Sequence, residues 1–122
     1  MPKILVVDDD QSILDSMEIA LTLNDYEVET TTRGEQTFSK ISSFQPDLIL
    51  MDVYLSGMDG REITRKIKED QNTKDIPVII FSANKSMKEV FLESGANDFI
   101  GKPFNMDELY DKVKHQTSHI LY

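Results

Sequence analysis

Residues 4–10 read ILVVDDD. Successive side chains of a strand point to opposite faces, so four apolar residues in a row describe a strand covered on both sides, as strands of a parallel sheet are. Three carboxylates follow at once, at the carboxyl end of that strand. The same grammar recurs further on. Residues 48–51 (LILM) run into Asp52, and residues 78–81 (VIIF) run into Ser82. Residues 26–30 instead alternate through Tyr26, Val28 and Thr30, the pattern of a half-exposed edge strand. Residues 98–100 make a short fifth strand, with Lys102 just beyond it.

Helical patterns separate these runs. Ile13, Met17, Ala20 and Leu21 form one stripe. Four pairs place a capping residue three positions before a glutamate: Thr32 and Glu35, Asp59 and Glu62, Ser86 and Glu89, Asn105 and Glu108. That spacing predicts four helix starts with capping boxes. Gly95 suits a left-handed cap after a helix over 86–94. Five strands alternating with five helices imply right-handed crossovers and an open parallel sheet with helices on both faces.

The composition agrees. With 122 residues, the chain is expected to be one domain, 1–122. Its formal net charge is −9, which argues against nucleic acid or an anionic membrane as a direct partner and favours basic protein faces and hard cations. There is no cysteine, which excludes disulfides, thiolate metal sites and a cysteine nucleophile. No apolar run approaches the roughly 18 residues of a membrane helix, and the N-terminus does not read as a signal peptide, so a cytoplasmic protein is expected.

Asp8, Asp9, Asp10, Asp52, Ser82 and Lys102 all stand just past strand ends, where open α/β sheets bind ligands. Taken singly, an aspartate there is more often a helix cap, Ser82 a turn residue and Lys102 a loop cation. The combination of carboxylates, a hydroxyl and a lysine is what those roles leave unexplained. In the strand order 3-2-1-4-5 the first and third strands are apart; in the order 2-1-3-4-5 they are neighbours. One shared site requires the second order. Converging carboxylates raise one another's pKa unless cations join them. Lys102 supplies one charge, and an all-oxygen donor set with few carboxylates suits magnesium for the rest. Such a site fits phosphoryl transfer to a carboxylate nucleophile, with the cations neutralising the transferring oxygens and the hydroxyl donating a hydrogen bond.

ILVVDDD at 4–10, LILMDVYLSGMDG at 48–60, PVIIFSA at 77–83 and GANDFIGKPF at 95–104 together resemble the receiver domain of two-component response regulators, the group that includes single-domain chemotaxis regulators. The resemblance covers nearly the whole chain. It implies a flavodoxin-like, doubly wound five-stranded parallel sheet in the order 2-1-3-4-5 with five helices. It implies Asp52 as phosphoacceptor and Asp8 and Asp9 as the acidic pair holding Mg2+, helped by Asp52 and the Tyr54 backbone carbonyl. Ser82 and Phe99 match the switch hydroxyl and aromatic, Lys102 the phosphate-contacting lysine, and Lys102–Pro103 a bond commonly cis. The donor would be a sensor histidine kinase or histidine phosphotransfer protein docking near Ile13, Leu14 and Met17. Phosphorylation would turn Phe99 inward, and a downstream target or effector domain would read the face of the fourth helix, fifth strand and fifth helix. The protein would be a phosphoacceptor signalling domain with self-phosphorylation and autodephosphorylation only, a monomer or a phosphorylation-dependent dimer. Tyr54 and Asn84 would border the site and tune the phosphoryl lifetime. Ser56-Gly57 stands where the family often has proline, which predicts a more mobile loop.

Three other readings compete. Residues 4–12 also resemble the first motif of haloacid-dehalogenase-like magnesium phosphatases, with Asp8 as nucleophile and Asp10 as acid/base. The chain is short for that group, lacks its late acidic pair and leaves Asp52 without a role. A flavin-binding module would need a phosphate-cradling first loop, where three aspartates repel phosphate. A pure binding module leaves the complete site unexplained. His115 and His119 share a helix face at i, i+4, but no carboxylate or cysteine near them completes a metal site.

Overall fold

The structure is a computed structural model and describes residues 1–55 and 57–118. Five strands make one parallel sheet: β1 (Lys3–Val7), β2 (Glu27–Thr31), β3 (Leu48–Asp52), β4 (Val78–Ser82) and β5 (Asp98–Gly101). The order across the sheet is β2-β1-β3-β4-β5, so the first and third strands are neighbours, as a shared acid site requires. Five α-helices alternate with them: α1 (Gln11–Leu23), α2 (Thr37–Phe44), α3 (Gly60–Glu69), α4 (Lys88–Glu93) and α5 (Met106–Thr117). Two 3-10 turns, Gly34–Gln36 and Lys85–Met87, lead into α2 and α4. The strict βα alternation and the switch of order beside β1 give the flavodoxin-like, doubly wound layout.

Each central strand feeds two cores. Ile4, Val6, Leu48, Leu50, Ile79 and Phe81 pack with Leu14, Met17 and Leu21 of α1 and Leu109 and Val113 of α5. The residues between them, Leu5, Val7, Ile49, Met51, Val78 and Ile80, pack with Ile41 of α2, Ile63 and Ile67 of α3, and Phe91 of α4. This is why the runs are continuously apolar: every residue is inside, whichever face it takes, and each large side chain so buried contributes about 1.5–3 kcal/mol. The edge strand β2 is half-exposed, as expected, but burial does not alternate along it: Val28, Glu29 and Thr30 are all half-buried and Thr31 is buried.

The capping predictions divide evenly. Asp59 caps α3 by accepting from the Arg61 N–H at 2.8 Å, and Asn105 caps α5 by accepting from the Glu108 N–H at 2.7 Å. The boxes expected at Thr32 and Ser86 do not form. The 3-10 turn before α2 has no side-chain cap; instead the Thr31 hydroxyl accepts from the Arg33 N–H at 3.1 Å and bonds the Gln36 carboxamide at 2.9 Å. Ser86 donates to the Asn84 side chain at 2.7 Å, and α4 starts only at Lys88. In both places a tight 3-10 turn takes up the helix entrance, and the expected residue does not cap it. The cap at Gly95 is present, with φ at +104°.

The chain on either side of Ser56 pairs with itself. Tyr54–Leu55 and Met58–Asp59 form a two-stranded antiparallel ribbon, closed at Gly57 with φ at +76°. Ser56 itself lies outside the described residues. The ribbon returns the chain to Gly60, whose N–H donates to the Val53 carbonyl at 2.8 Å. A Cβ at Gly60 would sit 2.1 Å from the Asp52 carbonyl oxygen, a backbone atom that has no room to yield. A Cβ at Gly57 would meet nothing within 4 Å. Gly60→Ala should therefore destabilise by about 3 kcal/mol or more through overpacking, and Gly57→Ala by only about 1–2 kcal/mol through its left-handed backbone. Urea denaturation of the two variants checks this; equal effects would mean the ribbon, not the Gly60 contact, sets the loop.

Candidate functional site

The register of the sheet assembles the site. Val7 lies opposite Met51, so Asp8, one residue past β1, comes level with Asp52, the last residue of β3. Asp52 pairs with Phe81 of β4, and Ser82 with Gly101 of β5, which brings Lys102 to the same end. Asp8, Asp9 and Asp52 each offer a carboxylate oxygen, all within 4.8 Å of one another. The Lys102 ammonium donates to Asp8 Oδ2 at 3.2 Å and to Asp52 Oδ1 at 3.4 Å. It also lies 4.8 Å from the centre of the Phe81 ring, a cation–π contact on its apolar side. The Lys102–Pro103 bond is cis, as expected.

Two of these carboxylates are buried: Asp8 is 0% and Asp52 5% exposed. Asp9 is exposed. Burial pushes the Asp52 carboxyl up to about 6; the Asp8 charge pushes the same way and Lys102 opposes both. Burial also raises Asp8, against the pull of the Asp10 N–H, which donates to Asp8 Oδ1 at 2.8 Å, and of Lys102. One ammonium among three carboxylates leaves the cluster short of positive charge. All its donors are hard oxygens, which suits a divalent hard cation.

Asp10 stands apart from the cluster. Its carboxylate caps α1, accepting from the Ser12 N–H at 2.9 Å and the Ser12 hydroxyl at 2.6 Å, and these bonds hold it below the usual carboxylate range. Ser82 is buried at its strand end, where its hydroxyl accepts from the Asn84 N–H at 3.1 Å and its carbonyl accepts from the Lys102 N–H at 2.8 Å. Phe99 is buried at 6% exposure and stacks on Phe91, ring centres 5.6 Å apart. The structure thus holds the inward packing of this aromatic. Tyr54 belongs to the ribbon, with 61% of its surface exposed.

Of the proposed docking residues, Leu14 and Met17 are core, each 1% exposed, and only Ile13 of the three is partly open. Sequence reading missed the surface that Ile13 belongs to. A groove of about 480 Å³ runs between α1 and the chain after β5, lined by Ser12, Ile13, Pro103, Phe104 and Met106, with Met17 at its floor and Lys102 at one end. Its apolar walls come from segments some 90 residues apart, a conjunction no local pattern carries. It also missed the pairing of Arg61 with Asp59, whose carboxylate accepts at 2.7 Å from Nη2, although the Asp-Gly-Arg spacing is readable. His115 is exposed and His119 lies outside the described residues.

Residues 4–114 match the family model described as the response regulator receiver domain. The chain belongs to the response-regulator receiver family. It is 37% identical to the transcriptional regulatory protein KdpE of Staphylococcus aureus over 98% of its own length and 55% of that protein. It is 38% identical to the response regulator PleD of Caulobacter vibrioides, over 94% of this chain and 26% of PleD. The chain therefore spans about half, or less, of the curated relatives it matches. Among solved structures, it is similar to the receiver domain of the sensor histidine kinase PA1611 of Pseudomonas aeruginosa, which is described with magnesium in its active-site cleft (TM-score 0.87, 30% identity, 96% and 98% of the two chains). The dehalogenase-like alternative finds no support: Asp10, its acid/base, is a helix cap, and every match named above is a response regulator or a receiver domain. Among the described residues no helix is long and apolar enough to cross a membrane.

A carboxyl whose folded pKa is raised binds its proton more tightly folded than unfolded. Between its ordinary 3.8 and about 6, the native state holds the extra proton, so stability falls as pH rises through that window and stays lowered above it. Asp52→Asn should therefore stabilise the protein at pH 7 by on the order of 2–3 kcal/mol, with the gain shrinking as pH falls through about 6 and gone below about 4. Urea titrations of both proteins across pH 3.5–8 test this; a gain independent of pH would show that the Asp52 charge is not what is being relieved.

Proposed function

We propose that residues 1–122 act as one receiver domain in which Asp52 takes a phosphoryl group from a phosphohistidine, with Asp8 and Asp9 supplying the acidic pair for Mg2+ and Lys102 contacting the phosphoryl group. The observation that carries this is the contact of Lys102 with both Asp8 and Asp52 at the ends of adjacent strands. A carboxylate titrating near 6 is still mostly ionised at pH 7 and is more basic than an ordinary one, which suits a nucleophile. Asp52 Oδ would form the new O–P bond while the N–P bond to the donor imidazole breaks, the ring nitrogen keeping the electron pair. An ammonium has three N–H donors; two are spent on Asp8 and Asp52, and the third serves a phosphoryl oxygen. Ser82 would reorient its hydroxyl toward the new dianion, giving up the Asn84 N–H. The donor set fits magnesium: Asp8, Asp9, Asp52 and the Tyr54 carbonyl would hold it, and the bound ion would neutralise charge on the transferring group.

The phosphohistidine partner, a sensor histidine kinase or a phosphotransfer protein, would dock in the groove beside Lys102, with Ile13, Phe104 and Met106 as its apolar contacts. The output face would be α4, β5 and α5, read by a downstream protein or effector domain. The domain would work in the cytoplasm, itself making no direct contact with nucleic acid or membrane, as a monomer or as a dimer formed on phosphorylation. Its only chemistry is self-phosphorylation and autodephosphorylation.

Intact mass after incubation with acetyl phosphate and Mg2+ tests the reading. One added phosphoryl group is expected in wild type, none without Mg2+ and none in Asp52→Asn; an adduct retained in Asp52→Asn would overturn it. Tyr54 is exposed beside the site, and Asn84 is tied back by Ser86. Tyr54→Ala and Asn84→Ala should each change the lifetime of the adduct severalfold by altering water access; unchanged decay would remove both from that role.

A further inference from the structure

We infer that Arg61 is a positioning residue for the switch aromatic: it latches the ribbon that follows Asp52 onto Phe91 of α4, and through Phe91 holds Phe99 in its inward packing. The latch is built from five contacts. The Arg61 guanidinium forks onto the Asp59 carboxylate, with Nη2 to Oδ2 at 2.7 Å and Nε to Oδ2 at 3.1 Å. The same carboxylate accepts the Arg61 N–H at 2.8 Å, so one group fixes both the backbone and the side chain of Arg61. Held there, the guanidinium carbon lies 6.0 Å from the centre of the Phe91 ring. Phe91 in turn stacks on Phe99 at 5.6 Å with 29° between ring planes.

Each end of this chain is anchored to something that matters. Asp59 pairs with Tyr54 in the ribbon, and the next residue, Gly60, bonds the Val53 carbonyl, so the carboxylate is carried on the segment leaving Asp52. Phe91 is wholly buried, at 0% exposure, and is a member of the core that also holds Phe99. Its helix α4 is short, Lys88–Glu93, and no side chain caps it. A six-residue helix contributes little stability of its own, so the placement of Phe91 depends on tertiary contacts. The planar fork is what aims the charge at the ring. A lysine would carry the same charge but not hold it in one place. The structural latch stands on these contacts alone; its consequence for signalling rests on the receiver reading above, in which the inward packing of Phe99 accompanies phosphorylation.

A partly exposed cation–π contact of this kind shifts an equilibrium about two- to fivefold. The test is relaxation dispersion on the 13C-labelled phenylalanine rings of the full chain, without phosphodonor or Mg2+, in wild type, Arg61→Ala and Asp59→Asn. Asn still accepts a capping bond at α3 but cannot form the ion pair. The ratio of outward to inward packing of Phe99 is expected to rise two- to fivefold in both variants. An unchanged Phe99 signal in Arg61→Ala, or a change there that Asp59→Asn does not reproduce, would overturn the latch. Because no phosphoryl chemistry enters this measurement, a failure of Asp52 to be modified in the mass experiment would leave its outcome standing.

Discussion

The Lys102 ammonium, shared between two buried carboxylates on neighbouring strands, is the constraint around which the molecule is organised. Asp8 and Asp52 are nearly without solvent, and neither could remain charged there without a cation in contact. Lys102 meets that need only in part. The Asp52 carboxyl still titrates near 6, so the cluster remains short of positive charge after its own lysine is counted. Such a site is destabilising to the fold and useful to chemistry for the same reason: it favours whatever brings further positive charge to it.

The fold is the device that makes the contact possible. Three residues far apart in sequence meet because β1, β3 and β5 run parallel and end at one side of the sheet. The two cores keep the strands in register, and each depends on alternate residues of the same apolar runs. Immediately beyond Asp52 the packing tightens further. Gly60 is admitted against the Asp52 carbonyl because it has no side chain, and the short ribbon returns the chain to α3. The ribbon pairing of Tyr54–Leu55 with Met58–Asp59 is a feature that residue types do not announce.

Legibility followed the range of the forces involved. The apolar runs, their carboxyl-end acids and the strand order were readable because both-face burial and charge convergence leave marks in the sequence itself. Asp8, Asp9, Asp52, Ser82 and Lys102 were named from that pattern together with the family resemblance, and the structure brings the three acids within 4.8 Å of one another and Lys102 onto Asp8 and Asp52. The N-caps at Asp59 and Asn105 were read correctly, though without the return bond from the glutamate that would complete a box, while those at Thr32 and Ser86 were displaced by 3-10 turns. A capping residue specifies a hydrogen bond that is available, and the chain path decides whether the helix begins there. Of the docking candidates on α1, Leu14 and Met17 are core and Ile13 is partly open, while Met17 also borders the groove; an apolar stripe reads equally as core or as contact surface, and periodicity alone does not separate the two.

By itself, the sequence determined the doubly wound sheet, its order and the acids at its carboxyl edge, because continuous apolar strands and clustered like charges admit few arrangements. Tertiary structure alone decided the groove between α1 and the chain after β5, the burial of Asp8 and Asp52 that raises their pKa values, and the stack of Arg61, Phe91 and Phe99. Those depend on distances between elements remote in sequence. Solvent exclusion and ring stacking are properties of what lies across the gap, and a linear chain does not carry that information until it closes.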